Sequence, residues 1–122
     1  MYTAYVLDQH SRDILLKKFP PKYPDVIGHH VTVEFGVSKD ADAPEEAEIK
    51  VIGYVNDPEG LEALVVVVNG NKTRSDGKIY HITWSLDREK FAPKDSNDLI
   101  EANKHFLLVM ATPISTTPKV LK

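Results

Sequence analysis

The chain contains no cysteine. Disulfides, thiolate zinc sites and a cysteine nucleophile are therefore excluded, and the sequence fits a reducing compartment. It also lacks a basic excess: 15 Lys and Arg stand against 18 Asp and Glu, for a formal net charge of −3. Proteins that coat long duplex nucleic acid need the opposite balance, so any phosphate-bearing ligand must be met by a local site. No apolar run approaches the roughly 20 residues of a membrane helix. The start, Met1-Tyr2-Thr3-Ala4-Tyr5, lacks the basic and then apolar stretches of a signal peptide. The expectation is a cytoplasmic protein with no membrane association and no obligate protein partner. Solenoid repeats and low-complexity tracts are missing as well.

What is present is the composition of an ordinary globular chain: 122 residues, 42% hydrophobic and 27% charged. That length predicts a single domain over 1–122 with enough core to need no covalent staple. Residues 2–8 read as a strand from their Tyr-Val-Leu content. Ser11 reads as the N-cap of a helix with Ile14, Leu15 and Phe19 on its apolar side, stopped by Pro20 and Pro21. Lys17 and Lys18 fall on its surface. Residues 20–28 predict a turning connection, 29–36 a strand, and Ser38 to Glu46 an exposed acidic loop. Strands over 47–55 and 61–68 flank Asn56-Asp57-Pro58-Glu59-Gly60, strong turn chemistry that predicts a hairpin. The run Leu64-Val65-Val66-Val67-Val68 is apolar on both faces and predicts a central strand covered on both sides. Residues 69–78 read as a flexible polar loop, 79–86 as a strand, and Asp95–Phe106 as a helix capped by Asp95 or Ser96. Residues 107–111 read as a strand, and the Thr/Pro-rich end as irregular or a final edge strand. The sum is an α+β domain, a mostly antiparallel sheet with about two helices.

Two of the predicted strands carry the same short pattern, His30-Val31-Thr32-Val33 and His81-Ile82-Thr83-Trp84. Side chains alternate faces along a strand. His30 and Thr32 should therefore share one face, opposite Val31, Val33 and Phe35. His81 and Thr83 should share another, opposite Ile82 and Trp84. Each strand then has an apolar face for a core and a polar face pairing an imidazole with a hydroxyl. The combination suits phosphate esters. Cleaving a phosphodiester needs a base for the attacking oxygen and an acid for the leaving oxygen. Two imidazoles with ordinary pKa values near ~6.5 can divide those tasks. A hydroxyl two residues on can donate to a phosphate oxygen as charge grows there.

The twin segments, more widely His30-Val-Thr-Val-Glu-Phe-Gly36 and Tyr80-His-Ile-Thr-Trp-Ser-Leu86, resemble the motifs of the 2H phosphoesterase superfamily. Within it they are similar to the branch of phage RNA-repair-like proteins and the cyclic phosphodiesterase domain of plant-type tRNA ligases. The resemblance implies a two-lobed, pseudo-symmetric fold with one motif strand from each lobe lining a shared groove, and catalysis with no metal or other cofactor. It implies that His30 and His81 exchange protons with the substrate while Thr32 and Thr83 hold its phosphate. Implied substrates are 2′,3′-cyclic phosphates on nucleotides or RNA ends, or cyclic oligonucleotide signals in the host cytoplasm if the chain is phage-encoded. At 122 residues the chain is short for that family, which implies reduced peripheral elements.

Around the two pairs, Glu34 and Ser85 fall in register with the motif faces and are candidates to touch substrate. Tyr5 is a candidate to stack on a base. Lys72 and Arg74, just before the second motif, are candidates to reach a phosphate. The bland alternatives are a solvated strand carboxylate, sheet packing and a solvated loop, respectively. His29 should face away from His30 as a boundary residue; His10 and His105 read as a helix edge and a helix end; Trp84 reads as core. His30, Glu34 and His81 are permissible metal ligands, but a metal would leave both threonines unexplained, so no metal site is expected. A rival from another class is a module that binds a cyclic nucleotide or RNA end without turning it over. A second rival is a structural domain with coincidental histidines.

Overall fold

The computed structural model describes residues 1–103 and 106–122; His105, read above as a helix end, lies outside the described residues. In chain order the elements are β1 (Tyr2–Leu7), α1 (Gln9–Lys18), β2 (Asp25–Val26), β3 (His30–Phe35), β4 (Ile49–Asp57), β5 (Leu61–Val68), β6 (His81–Leu86), α2 (Asp95–Ala102), β7 (Leu107–Ile114) and β8 (Thr116–Leu121). The strands form two antiparallel sheets, β3-β1-β8 and β2-β6-β5-β4-β7. The α+β class, the two helices and the central place of the valine-rich strand are as the sequence led us to expect. Among the described residues no helix is long and apolar enough to cross a membrane.

The core explains why β5 is apolar on both faces. One alternate set, Leu64, Val66 and Val68, joins Tyr5, Leu7, Leu15, Val31, Ile49, Val51, Ile82 and Trp84 between the two sheets. The other set, Ala63 and Val65, packs with Val55 and Ile100 beneath α2. With both faces covered, a solvated face is never needed, so the period-two alternation of polarity disappears.

Several boundaries differ from the sequence expectations. The first helix starts at Gln9, and Ser11 is buried inside it, accepting a hydrogen bond from the Ser115 amide at 2.7 Å rather than capping. Ile14 is exposed, leaving Leu15 as the anchor of α1. The second helix ends at Ala102 instead of Phe106 and has no side-chain cap. The Phe106 ring instead packs over Gly53, where a Cβ would come within 2.3 Å of it. The strand after it is longer than expected, running to Ile114. The Thr/Pro-rich end is a true edge strand, β8 on β1. The connection 20–28 contains the short strand β2, and the 69–78 segment is ordered by its own backbone. Asn69 and Gly70 both take positive φ, and Val68 and Asn71 exchange two amide–carbonyl bonds of 2.9 Å. That is the primed two-residue turn Asn-Gly favours.

One stretch of chain decides where the first motif lies. Asp25 and Val26 pair with Leu86 and Ser85 of β6. The Ile27 and Gly28 amides then donate to the Trp84 and Thr83 carbonyls at 2.9 and 3.0 Å. Two residues later the chain has left this sheet and begins β3 in the other. Gly28 makes the corner with φ +46, and the Trp84 ring packs so closely on it that an added Cβ would sit 2.9 Å from the ring. A side chain fits there neither conformationally nor sterically. The Gly28 carbonyl accepts from Arg12 Nε at 3.0 Å, tying the corner to α1. His30 thus begins its strand directly beside the β6 strand that carries His81.

Candidate active site

His30, Thr32, His81 and Thr83 all line one cavity of about 280 Å³. The alternation works as expected for the core-facing partners: Val31, Ile82 and Trp84 are fully buried between the sheets. The two motif strands are also held alike by their neighbours. On β1, Ala4 and Val6 face Thr32 and His30; on β5, Ala63 and Val65 face Thr83 and His81. In each case the residue after the threonine is an extra one. Val33 falls between the pairs Ala4↔Thr32 and Thr3↔Glu34, and Trp84 between Ala63↔Thr83 and Glu62↔Ser85. Both strands are therefore bulged at the same motif position.

A bulge shifts the side-chain alternation by one residue, and this corrects two sequence expectations at once. Glu34 is exposed and lies outside the cavity lining, whereas Phe35, expected on the core face, is 57% exposed and lines it. Ser85 is fully buried away from the groove, donating to Glu62 Oε1 at 2.6 Å in a cluster that Tyr54 Oη also joins. Neither residue is placed to touch a ligand in the groove.

Tyr5 is corrected as well. It is a core residue whose hydroxyl donates to the Glu45 carbonyl at 2.6 Å. Tyr2, three positions earlier and so on the opposite face, is the tyrosine of the groove, with its ring 5.4 Å from that of His30 and 5.7 Å from that of Phe35. Of the two loop cations, Arg74 lines the cavity and Lys72 does not; the Lys72 ammonium lies 5.7 Å from the Phe106 ring. Arg74 is 3% exposed, forks onto Asp76 at 2.7 and 3.1 Å, and lies over the Phe35 ring at 5.4 Å. The loop's own turn, with Arg74 N–H on the Lys78 carbonyl at 2.7 Å, holds it there.

The opposite wall comes from Pro93, Lys94 and Asn97 at the start of α2, which the sequence reading did not single out. Its tie to the second motif is Ser96, fully buried, with its Oγ 2.8 Å from Thr83 Oγ1; Thr83 is also within 3.2 Å of the Pro93 carbonyl. Thr83 is thus held by the protein. Thr32 has no side-chain hydrogen bond among the described residues. The lining contains no carboxylate, and among the described residues no three of His, Asp and Glu gather as metal ligands. No family model, curated protein or solved structure matches this chain.

Both imidazoles present Nε2 to act with, because each Nδ1 is engaged. His81 Nδ1 lies 2.8 Å from the Ile79 carbonyl oxygen, which can only accept, so Nδ1 carries the proton. His30 Nδ1 lies 2.9 Å from His29 Nδ1. The two rings therefore meet, contrary to the expectation that His29 faces away. Burial pushes His30 down from 6.5 to about 4, helped by the nearby His29 and His81. Burial also lowers His81, and Arg74 adds to this, while the Ile79 carbonyl and Asp76 act in the opposite direction.

These shifts have a consequence for stability. A histidine whose folded pKa lies below its unfolded value binds its proton more readily in the unfolded chain. Its contribution is full above the unfolded value and is lost as pH falls toward the folded one. We expect the urea midpoint to drop as pH is lowered from 6.5 toward about 4, and His30→Gln to flatten that drop. An identical pH dependence in the variant would contradict it.

Proposed function

We propose that this chain is a metal-independent phosphodiesterase of the 2H type, hydrolysing a nucleotide or RNA phosphodiester in the cytoplasm. The favoured substrates are 2′,3′-cyclic phosphates and cyclic oligonucleotides. The observation that carries this reading is the convergence of two His/Thr pairs, one from each sheet, on a single cavity. Its lining also holds Lys94 and the Asp76-paired Arg74 and no carboxylate of its own, in a chain whose net charge is −3. A locally cationic groove on an acidic protein favours an anionic ligand. The aromatic surfaces of Tyr2 and Phe35 at one wall offer a base a place to stack.

In this mechanism one imidazole takes the proton from an attacking water as its oxygen bonds to phosphorus. The other delivers a proton to the ester oxygen as its bond to phosphorus breaks. Thr32 donates to a non-bridging oxygen. Thr83, oriented by Ser96, does so by exchanging its Pro93 contact for the phosphate. The phosphate charge raises the pKa of both imidazoles on binding, which supplies the acid in a groove whose histidines are otherwise held neutral.

That neutrality also supports the second reading, a module that binds the same ligands without turnover. Incubation with 2′,3′-cyclic nucleotides and with cyclic dinucleotides in EDTA separates the two. Release of a linear phosphomonoester or an opened ring is the expected result. Saturable binding with no product would favour the module, and turnover abolished by EDTA would exclude the metal-independent mechanism.

A further inference from the structure

The two catalytic imidazoles are not held in the same way. A backbone carbonyl fixes His81, and a carbonyl has no proton to give. His30 is held by another imidazole, with the two Nδ1 atoms 2.9 Å apart and the rings near perpendicular at 79°. Two neutral imidazoles can make that contact in only two ways. If His29 donates, His30 carries its proton on Nε2 and meets the groove as a donor. If His30 donates, its Nε2 lone pair faces the groove and can accept a proton. The surroundings favour the second arrangement. His29 is exposed, so water can accept from its Nε2–H, while the half-buried His30 has Tyr2, His81 and Arg74 as its groove neighbours.

We propose that His29 is a positioning residue that holds His30 as the Nδ1–H tautomer, and thereby makes His30 the base and His81 the acid. The role assignment rests on the acid–base reading of the groove; the tautomer assignment does not. When His30 Nε2 takes the proton of the attacking water, the resulting imidazolium keeps its Nδ1–H bond to His29, whose lone pair then faces a cation instead of a neutral donor. The bond strengthens as the charge forms. His81, with its Nδ1–H on the Ile79 carbonyl, gives up its Nε2 proton to the leaving oxygen and returns to a neutral ring still held by the same carbonyl. The titratable and charged groups around His30 in the groove are His81, the Arg74–Asp76 ion pair and Lys94.

Asparagine provides the discriminating variant. Its Oδ1 is bonded to Cγ, as Nδ1 is in histidine, so His29→Asn keeps an acceptor in place while His29→Ala removes it. His29 is exposed, and its contribution to the fold is its carbonyl, which accepts from Leu7 N–H at 2.9 Å and survives both changes. Long-range proton–nitrogen NMR of the imidazoles at neutral pH should show His30 protonated at Nδ1 and bare at Nε2 in the native protein. The proton should move to Nε2 in His29→Ala and return to Nδ1 in His29→Asn. With 2′,3′-cyclic AMP as the probe, kcat should fall about tenfold in the alanine variant with KM unchanged, and recover in the asparagine variant. An Nε2–H His30 in the native protein, or one tautomer common to all three proteins, would overturn the proposal. The expected tautomer series without turnover in any of them would retain the positioning role and sink the phosphodiesterase reading instead.

Discussion

His30→Ala and His81→Ala are each expected to lower EDTA-resistant turnover of a cyclic phosphodiester by about a hundredfold or more. That is the usual worth of a positioned proton-transfer group. The two losses should not add. Once one imidazole is gone, the other has no concerted partner, so the double variant should lie near the single ones, as is common for residues acting as a unit. The fold should survive both changes. Each ring lines the groove instead of the core between the sheets, and each is a group whose charged form the fold disfavours. Thermal midpoints at neutral pH should therefore stay close to that of the native protein. A hundredfold loss of turnover with an unchanged midpoint identifies chemistry; a loss that tracks unfolding does not. Retention of full activity by both variants would end the assignment of these residues as catalysts.

The second large effect falls on stability. Trp84 is fully buried, donates through Nε1 to the Phe19 carbonyl at 2.7 Å and covers Gly28. It is also the extra residue in β6, and the corner it covers delivers His30 to the side of His81. Trp84→Ala should cost about 3–5 kcal/mol, a large share of the roughly 5–15 kcal/mol that stabilises a domain of ordinary size. Trp84→Phe keeps much of the packing and loses the hydrogen bond, leaving the Phe19 carbonyl without its donor, for about 1–3 kcal/mol. Urea denaturation followed by circular dichroism measures both, since removing the chain's single tryptophan removes its fluorescence. An alanine variant within about 1 kcal/mol of the native protein would show that the site can collapse around the missing ring, and that the corner does not depend on it.

Trp84 also shows how much of the site could be read in the sequence. Strict alternation correctly placed Val31, Ile82 and Trp84 in the core and the two His/Thr pairs on the other face, because those residues precede or form the bulge. It failed at Glu34, Phe35 and Ser85, which follow a bulge. Neither bulge contains a glycine or any other local marker; each arises from pairing with a strand distant in sequence, β1 for one and β5 for the other. The choice between Tyr2 and Tyr5 had a similar cause. Both suit a strand, and only the packing of β1 on the core decides which one faces the groove. Lys94, Ser96 and Asn97 lie in a segment that read as an unremarkable helix start, and nothing local shows that it closes over β6. Backbone direction alone turns His29 away from His30. It stands just before β3, where the chain is turning out of the Gly28 corner, and its ring meets that of His30 despite the adjacent position. The fold class, by contrast, was legible because it depends on short-range patterns: turn chemistry at 56–60, a doubly buried valine run and proline stops.

If the proposed function holds, two neutral-leaning imidazoles in one groove divide the proton transfers of phosphodiester cleavage. The pH dependence of kcat/KM for 2′,3′-cyclic AMP in EDTA tests it most directly. A bell-shaped profile reporting one base and one acid is expected, with either histidine variant reduced to a residual rate that no longer follows it. A metal-dependent rate, or a profile that keeps both limbs in both variants, would contradict it.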